Sequence, residues 1–120
     1  MSCKQVNLNS ANCLNVNSGY DYVFNAKPKK GKLDLTGATI HFKIKSVNDA
    51  GFLLELTNTT DDTISGVFIN DLSKFDFDIR IIASDSASIF GNKVFECYYE
   101  TATSKQLLFQ GQIEFDKGVI

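Results

Sequence analysis

Apolar and polar residues alternate with a period of two through much of this chain. In residues 34–45 the alternation begins at Ile40 and continues to the end of the stretch, after turn residues that include Gly37. The two faces of this stretch are Ile40, Phe42 and Ile44 on one side and His41, Lys43 and Lys45 on the other. This period is that of a half-buried strand, and no helix-period segment of useful length competes with it. The pattern therefore predicts a small all-β domain.

Further segments repeat the period, and each predicts a strand with a core face. The predicted core faces are Tyr20, Tyr22 and Phe24; Phe52, Leu54 and Leu56; Phe75, Phe77, Ile79 and Ile81; and Leu107, Phe109, Ile113 and Phe115. Asp76, Asp78 and Arg80 alternate with the third set and face outward. Residues 63–69 form another predicted strand, and residues 93–100 are apolar on both faces, which indicates the middle of a sheet or a covered position.

The remaining segments are interpreted from their turn residues, glycines and composition. Residues 83–91 predict either one helical turn or a wide loop, with Ile89 and Phe90 plugging an end of the core. Gly111, inside a strand, indicates a bulge or a close backbone approach. The Asn-rich beginning predicts two short edge or pairing strands, 4–8 and 13–16, with a turn over residues 9–12 between them.

About seven to nine short strands at intervals of roughly 8 to 12 residues are typical of an immunoglobulin-like sandwich of two antiparallel sheets, or of a small barrel. At 120 residues the chain is long enough to bury a core without disulfides or metals. We therefore predict one β-sandwich domain over residues 1–120, with residues 1–12 as an N-terminal arm.

Charge and cysteine usage narrow the class of protein to which the chain can belong. Twelve basic and fourteen acidic residues give a net charge of −2, which argues against binding driven by attraction to nucleic acid. No apolar run reaches the length of a membrane span, and the first residues lack the apolar core of a signal peptide. Cys3, Cys13 and Cys97 have no zinc-site spacing, so we expect three free thiols in a protein made in a reducing cytosol.

Residues that could carry catalysis are sparse. His41 is the sole histidine and belongs to no recognisable nucleophile motif. The acidic pairs are Asp61 with Asp62 and Asp76 with Asp78, and solvated strand and turn positions explain them better than a metal or paired-carboxylate site does. We predict no catalytic, cofactor or metal site, and no enzyme activity.

Recognition is therefore sought on the surface. The predicted interface residues are Lys27, Lys29, Lys30 and Lys32 in a solvated loop, Tyr98 and Tyr99 near the end of a strand, and Val119 and Ile120 at the C-terminal end of the sequence. One of the two adjacent tyrosines must face away from the core if its neighbour faces in, and the sequence leaves open whether that ring is exposed or buried in the core or by the second sheet. The β-branched pair at the end suits strand addition to a neighbouring molecule.

Three segments in this order resemble small structural proteins of tailed bacteriophages. They are Asp34 to Ile40, Gly66 to Ile69, and the ending from Gly91 through Val94 to Glu100 and Leu107 to Phe115. The chain is similar, over about Tyr20 to Phe115, to the immunoglobulin-like domain at the head of phage baseplate upper proteins and to related short virion proteins. These are turn and strand signatures, which indicate a fold more specifically than a function.

The resemblance implies a non-enzymatic protein of the virion, assembled in the host bacterial cytoplasm. An assembly or adaptor role in the tail, baseplate, collar or fibre attachment is the first expectation, and capsid decoration is the alternative. Its partners would be other virion proteins, in a homo-oligomer or symmetric array, with no membrane. A second class is a carbohydrate-binding module, with Tyr98, Tyr99 or Tyr22 as its platform.

Overall fold

A computed structural model of the chain describes residues 11–26, 37–47, 51–71 and 76–116. In these ranges the elements are β1 (Ala11–Asn17), β2 (Tyr22–Ala26), β3 (Thr39–Ser46), β4 (Phe52–Thr57), β5 (Gly66–Asp71), β6 (Asp76–Ile81), α1 (Ala83–Ser86), β7 (Gly91–Glu100) and β8 (Lys105–Asp116). The predicted strand 4–8 lies outside the described residues. The all-β prediction is confirmed, and of the two options for residues 83–91 the single helical turn is the one adopted.

The strands form two sheets. One has the order β1-β8-β7-β3-β4 and the other has the order β2-β6-β5. This arrangement matches the two sheets of immunoglobulin domains, with β3, β4, β7 and β8 in the places of strands C, C′, F and G, and β2, β5 and β6 in those of B, D and E. The immunoglobulin-like sandwich is therefore confirmed. One pairing departs from the antiparallel prediction, because β1 runs parallel to β8.

The core between the sheets is built around phenylalanines. Phe42, Phe77, Phe109 and Phe115 are almost completely buried. The ring of Phe42 lies 5.8 Å from that of Phe24 and 5.3 Å from that of Phe95, measured between centroids. Since aromatic pairs at such distances add to the stabilisation from burial, this cluster ties β2 to the larger sheet.

Irregular pairing of β4 overturns one predicted core face. Leu56 is buried and Leu54 packs against the core, as predicted, but Phe52 is 44% exposed. The register between β3 and β4 shifts between Ile44 and Lys45, so Phe52 lies opposite Lys45 on the outer face. An extra residue in one strand reverses the alternation beyond it.

A second register shift changes which side chains of β8 face the core. Between Cys97 and Tyr98 the register shifts, so Cys97 lies opposite Phe109 and Tyr98 opposite Leu107. Leu108 is the additional residue and is buried, whereas Leu107, predicted in the core, is exposed. Of the two options predicted for Gly111, the bulge is absent because Gly111 lies in regular register, and a bulge occurs at Leu108 instead. The prediction that β7 lies in the middle of a sheet is confirmed.

The turn α1 closes one end of the sandwich. Ile89 is buried as predicted, but Phe90 is 46% exposed and does not plug the core. Ser86 is completely buried, and its Oγ accepts a hydrogen bond from the Gly19 backbone N–H at 2.9 Å. This bond holds the connection between β1 and β2 against α1.

One prediction near the N-terminus stays a prediction and another is wrong. The arm predicted over residues 1–12 lies mostly outside the described residues, and of it only Ala11 and Asn12 are described, in β1. Tyr20 was expected in a strand on a core face. It is 59% exposed and precedes β2, which begins at Tyr22.

Asn58 extends the pairing of β3 beyond the end of β4. Its Oδ1 accepts from the Ile40 N–H at 2.9 Å, and its Nδ2 donates to the Ala38 carbonyl at 3.0 Å. The side chain therefore supplies both bonds that another strand residue would supply.

We expect Asn58→Ala to lower the free energy of unfolding by about 2 kcal/mol, because it leaves a backbone donor and a backbone acceptor at the edge of the core without partners. Urea unfolding measures this change. Asn70→Ala is the matched control, since the Asn70 amide bonds Asp76 and Asp78 on an exposed face. An equal loss in both variants would contradict the role of Asn58.

Candidate interaction surfaces

Most of the predicted interface residues lie outside the part of the chain that the structure describes. These are Lys27, Lys29, Lys30 and Lys32 in the loop, and Val119 and Ile120 at the end. Their participation in an interface stays a prediction. Tyr98 and Tyr99 are described, and their surroundings test the expectation of an exposed tyrosine.

Burial, the other option that the sequence left open, is the one observed, because Tyr98 and Tyr99 are only 6% and 8% exposed. Tyr99 belongs to the core cluster. Tyr98 faces away from the core but is covered by its neighbours: the His41 ring stacks on it at 4.7 Å with 14° between the planes. The ammonium groups of Lys43 and Lys105 lie 5.3 and 4.7 Å from its centroid.

The carbohydrate-binding alternative loses the platform on which it rested. A sugar ring stacks on an accessible aromatic face, and the face of Tyr98 is occupied by His41. Tyr22 is half-buried and packs against the core, where burial raises the pKa of its hydroxyl. Sequence alternation could place Tyr98 on the outer face, but it could not show that side chains of β3 and β8 cover it.

The charged side chains around Tyr98 on this outer face contact one another and the neighbouring rings. A hydrogen bond with Tyr98 raises the pKa of Lys43, with further contributions from Glu55 and Glu96, against partial desolvation. Lys43 Nζ also lies 3.9 Å from Glu55 Oε1 and 4.6 Å from the Phe52 centroid. The cation is therefore held between two rings and a carboxylate.

His41 does not form a catalytic arrangement with the described residues. Its Nε2 is buried and lies 3.3 Å from Glu100 Oε1, but makes no hydrogen bond with them. The contact is therefore an ion pair only when the imidazole is protonated.

The acidic pairs have structural partners. Asp61 Oδ1 accepts from the Thr63 N–H and hydroxyl at 2.9 and 2.6 Å, and these bonds lower the pKa of Asp61. Asp76 and Asp78 each accept from Asn25 Nδ2, at 2.8 and 2.7 Å, on the outer face of the smaller sheet. Within the described ranges, no group of three or more His, Cys, Asp or Glu side chains is placed to hold a metal ion. No helix in these ranges is long and apolar enough to cross a membrane.

A different surface emerges at the end of the sandwich where β7 begins. Leu53 and Phe90 are 45% and 46% exposed, and both line one cavity of about 290 Å³. Asp85, Ser88 and Lys93 line the same cavity. We call these five residues the end patch. The sequence did not reveal this patch because Phe90 was expected to plug the core, and because no local pattern places Leu53 beside residues 85–93.

The comparisons with known proteins concern the fold. No protein-family model matches the sequence, and no curated protein is similar to it. Among solved structures, the chain is similar to that in the crystal structure of the RIG-5 IG1 homodimer, with 18% identity and a TM-score of 0.43 over 98% of this chain and 97% of that one. This is a similarity of fold alone, and the assignment to the immunoglobulin-like class rests on the strand order described above.

Proposed function

We propose that this chain is a non-enzymatic structural protein of a tailed-bacteriophage virion. It acts as an assembly or adaptor component of the tail, baseplate, collar or fibre attachment, in contact with other virion proteins. It assembles in the host bacterial cytoplasm and takes its place in the particle as part of a symmetric array. The resemblance of its turn and strand segments to small virion proteins supports the phage assignment.

The observation that carries the assembly role is the end patch. Two large apolar side chains, Leu53 and Phe90, are nearly half exposed and line one depression, together with Asp85 and Lys93. An apolar centre with a polar rim is the usual composition of a protein–protein contact. Exposed apolar side chains that share one concave surface are more informative than the same number scattered singly.

Incorporation into particles tests this role. Wild-type protein should be found by mass spectrometry in particles purified after lysis of the host. The double variant Leu53→Ser/Phe90→Ser should be incorporated about tenfold less or worse, since central apolar anchors carry most of the energy of an interface. Leu107→Ser is the matched control, because Leu107 is 45% exposed on β8, opposite Tyr98 near the other end of β7.

The outcomes are distinct. Thermal unfolding verifies that the variants are folded. Absence of the wild-type chain from particles would overturn the virion assignment. Equal incorporation of the double variant and the Leu107 control would show that the end patch is not the contact.

A further inference from the structure

Sheet edges on this protein are not protected equally. A free strand edge presents unpaired backbone groups, and natural proteins guard such edges with charges, prolines, bulges or short strands. Among the described residues, the larger sheet ends at β1 and β4, and the smaller sheet ends at β2 and β5.

Three of these four edges carry a protecting feature. β4 contains Glu55 and carries the extra residue, Leu53, of its register shift against β3. β5 has its own register shift, between Ile69 and Asp71. β2 has only five residues, and its Asn25 amide lies against two carboxylates of β6.

β1 has none of these features. Its seven residues, Ala-Asn-Cys-Leu-Asn-Val-Asn, include no charge and no proline. Every one of them is in continuous register with β8, without a shift. In the described part of the chain its other edge pairs with no strand. β1 is therefore a long, regular and uncharged edge.

The side chains of β1 suit an extension of the sheet. Leu14 and Val16 are already buried in the core, so a strand added beside them would leave the core face unchanged. Asn15 faces the other way, and its Oδ1 is a buried acceptor that finds no hydrogen-bond donor among the described residues.

We infer that β1 pairs with β1 of a second copy of this chain, antiparallel about a two-fold axis. This rests on the proposed assembly function and names its first partner. A two-fold axis brings a strand against itself, so a charged edge would repel its copy. A foreign partner would usually be selected by complementary charges, and β1 offers none.

Light scattering over a range of protein concentrations tests this pairing. The wild-type protein should have twice the mass of the chain. Asn15→Lys places a like charge on both copies and should raise the dimer dissociation constant roughly tenfold or more. Asn17→Lys, at an exposed position of the same strand, should act in the same direction and replaces Asn15→Lys if that variant is unfolded. Thr57→Lys, an exposed position on the β4 edge, is the matched control and should leave the mass unchanged.

Hydrogen exchange at the β1 amides that point away from β8 distinguishes pairing with a second copy from the other possible states of this edge. A dimer whose β1 amides lose protection in Asn15→Lys supports the inference. A monomer with protected β1 amides would mean that another segment of the same chain covers the edge, and a monomer with exchanging amides would mean an open edge; both overturn it. A dimer unaffected by either lysine overturns it as well.

These failures differ from failure of the proposed function. A protein that is monomeric yet present in particles rejects the β1 pairing and keeps the virion role. A dimer that is absent from every particle keeps the β1 pairing and rejects the virion role.

Discussion

Replacing Phe42 with alanine is expected to lower the free energy of unfolding by about 3–5 kcal/mol, the usual cost of removing a buried phenylalanine side chain. Phe42 is completely buried at the centre of β3. Its ring contacts Phe24 of the smaller sheet and Phe95 of β7, so the substitution leaves a cavity between the sheets. The surrounding strands are held by their ladders and cannot collapse fully into that space.

Urea unfolding, followed by circular dichroism, measures the loss. Phe52→Ala is the matched control on the adjacent strand, because Phe52 is 44% exposed on the outer face of the same sheet. We expect that control to lose about 0.5 kcal/mol or less, as exposed positions usually do. Similar losses in the two variants would show that Phe42 is not at the centre of the core.

Much of this core could be predicted from alternation alone. Ile40, Phe42 and Ile44 in β3, and Phe77, Ile79 and Ile81 in β6, are buried as their period of two indicates. Both strands keep a regular period through these core positions, so sequence parity and side-chain direction agree. The number of strands and the absence of helical periodicity were then enough to indicate the sandwich.

The predictions failed where one residue interrupts that parity. A bulge leaves the local sequence pattern intact while it reverses every side chain beyond it, so Phe52 and Leu107 are exposed and Leu108 is buried. Parallel pairing of β1 with β8 could not be predicted from the sequence either, because it depends on a long-range contact rather than on a local signal.

The surfaces were harder to predict than the core for a related reason. Alternation assigns Tyr98 to the outer face, but exposure there depends on what the neighbouring strands place over the ring. His41 is opposite Tyr98 on β3 and stacks on it. The end patch arises from residues far apart in sequence, Leu53 and Phe90, which only the completed fold brings to one cavity.

The thiol of Cys97 should be almost inert in the folded protein. Cys97 is a completely buried free cysteine on β7, opposite Phe42. Immunoglobulin domains of antibodies use a disulfide between strands B and F, but β2 contains no cysteine, and Phe24 contributes an aromatic ring to the core instead. Burial raises the pKa of Cys97 far above its usual range, with a further contribution from Glu96.

Since the thiolate is the reactive form, alkylation of Cys97 requires the chain to open. At pH 8 we expect iodoacetamide to label Cys97 at least about 10³-fold more slowly in the folded protein than in urea, given ordinary domain stability. Peptide mass spectrometry follows this cysteine separately from Cys3 and Cys13. Fast labelling of Cys97 in the native protein would contradict its burial.

The same measurement connects the thiol to the aromatic core. If labelling proceeds from the opened chain, its rate follows the population of that state, so Phe42→Ala should accelerate it by roughly two to four powers of ten for a loss of about 3–5 kcal/mol. Raising the pH should accelerate it through the ordinary thiol range near 8.5, because the reacting thiol is the one in the opened chain. Phe52→Ala should leave the rate nearly unchanged. Acceleration only at a much higher pH would instead mean that the thiol reacts within the folded sandwich.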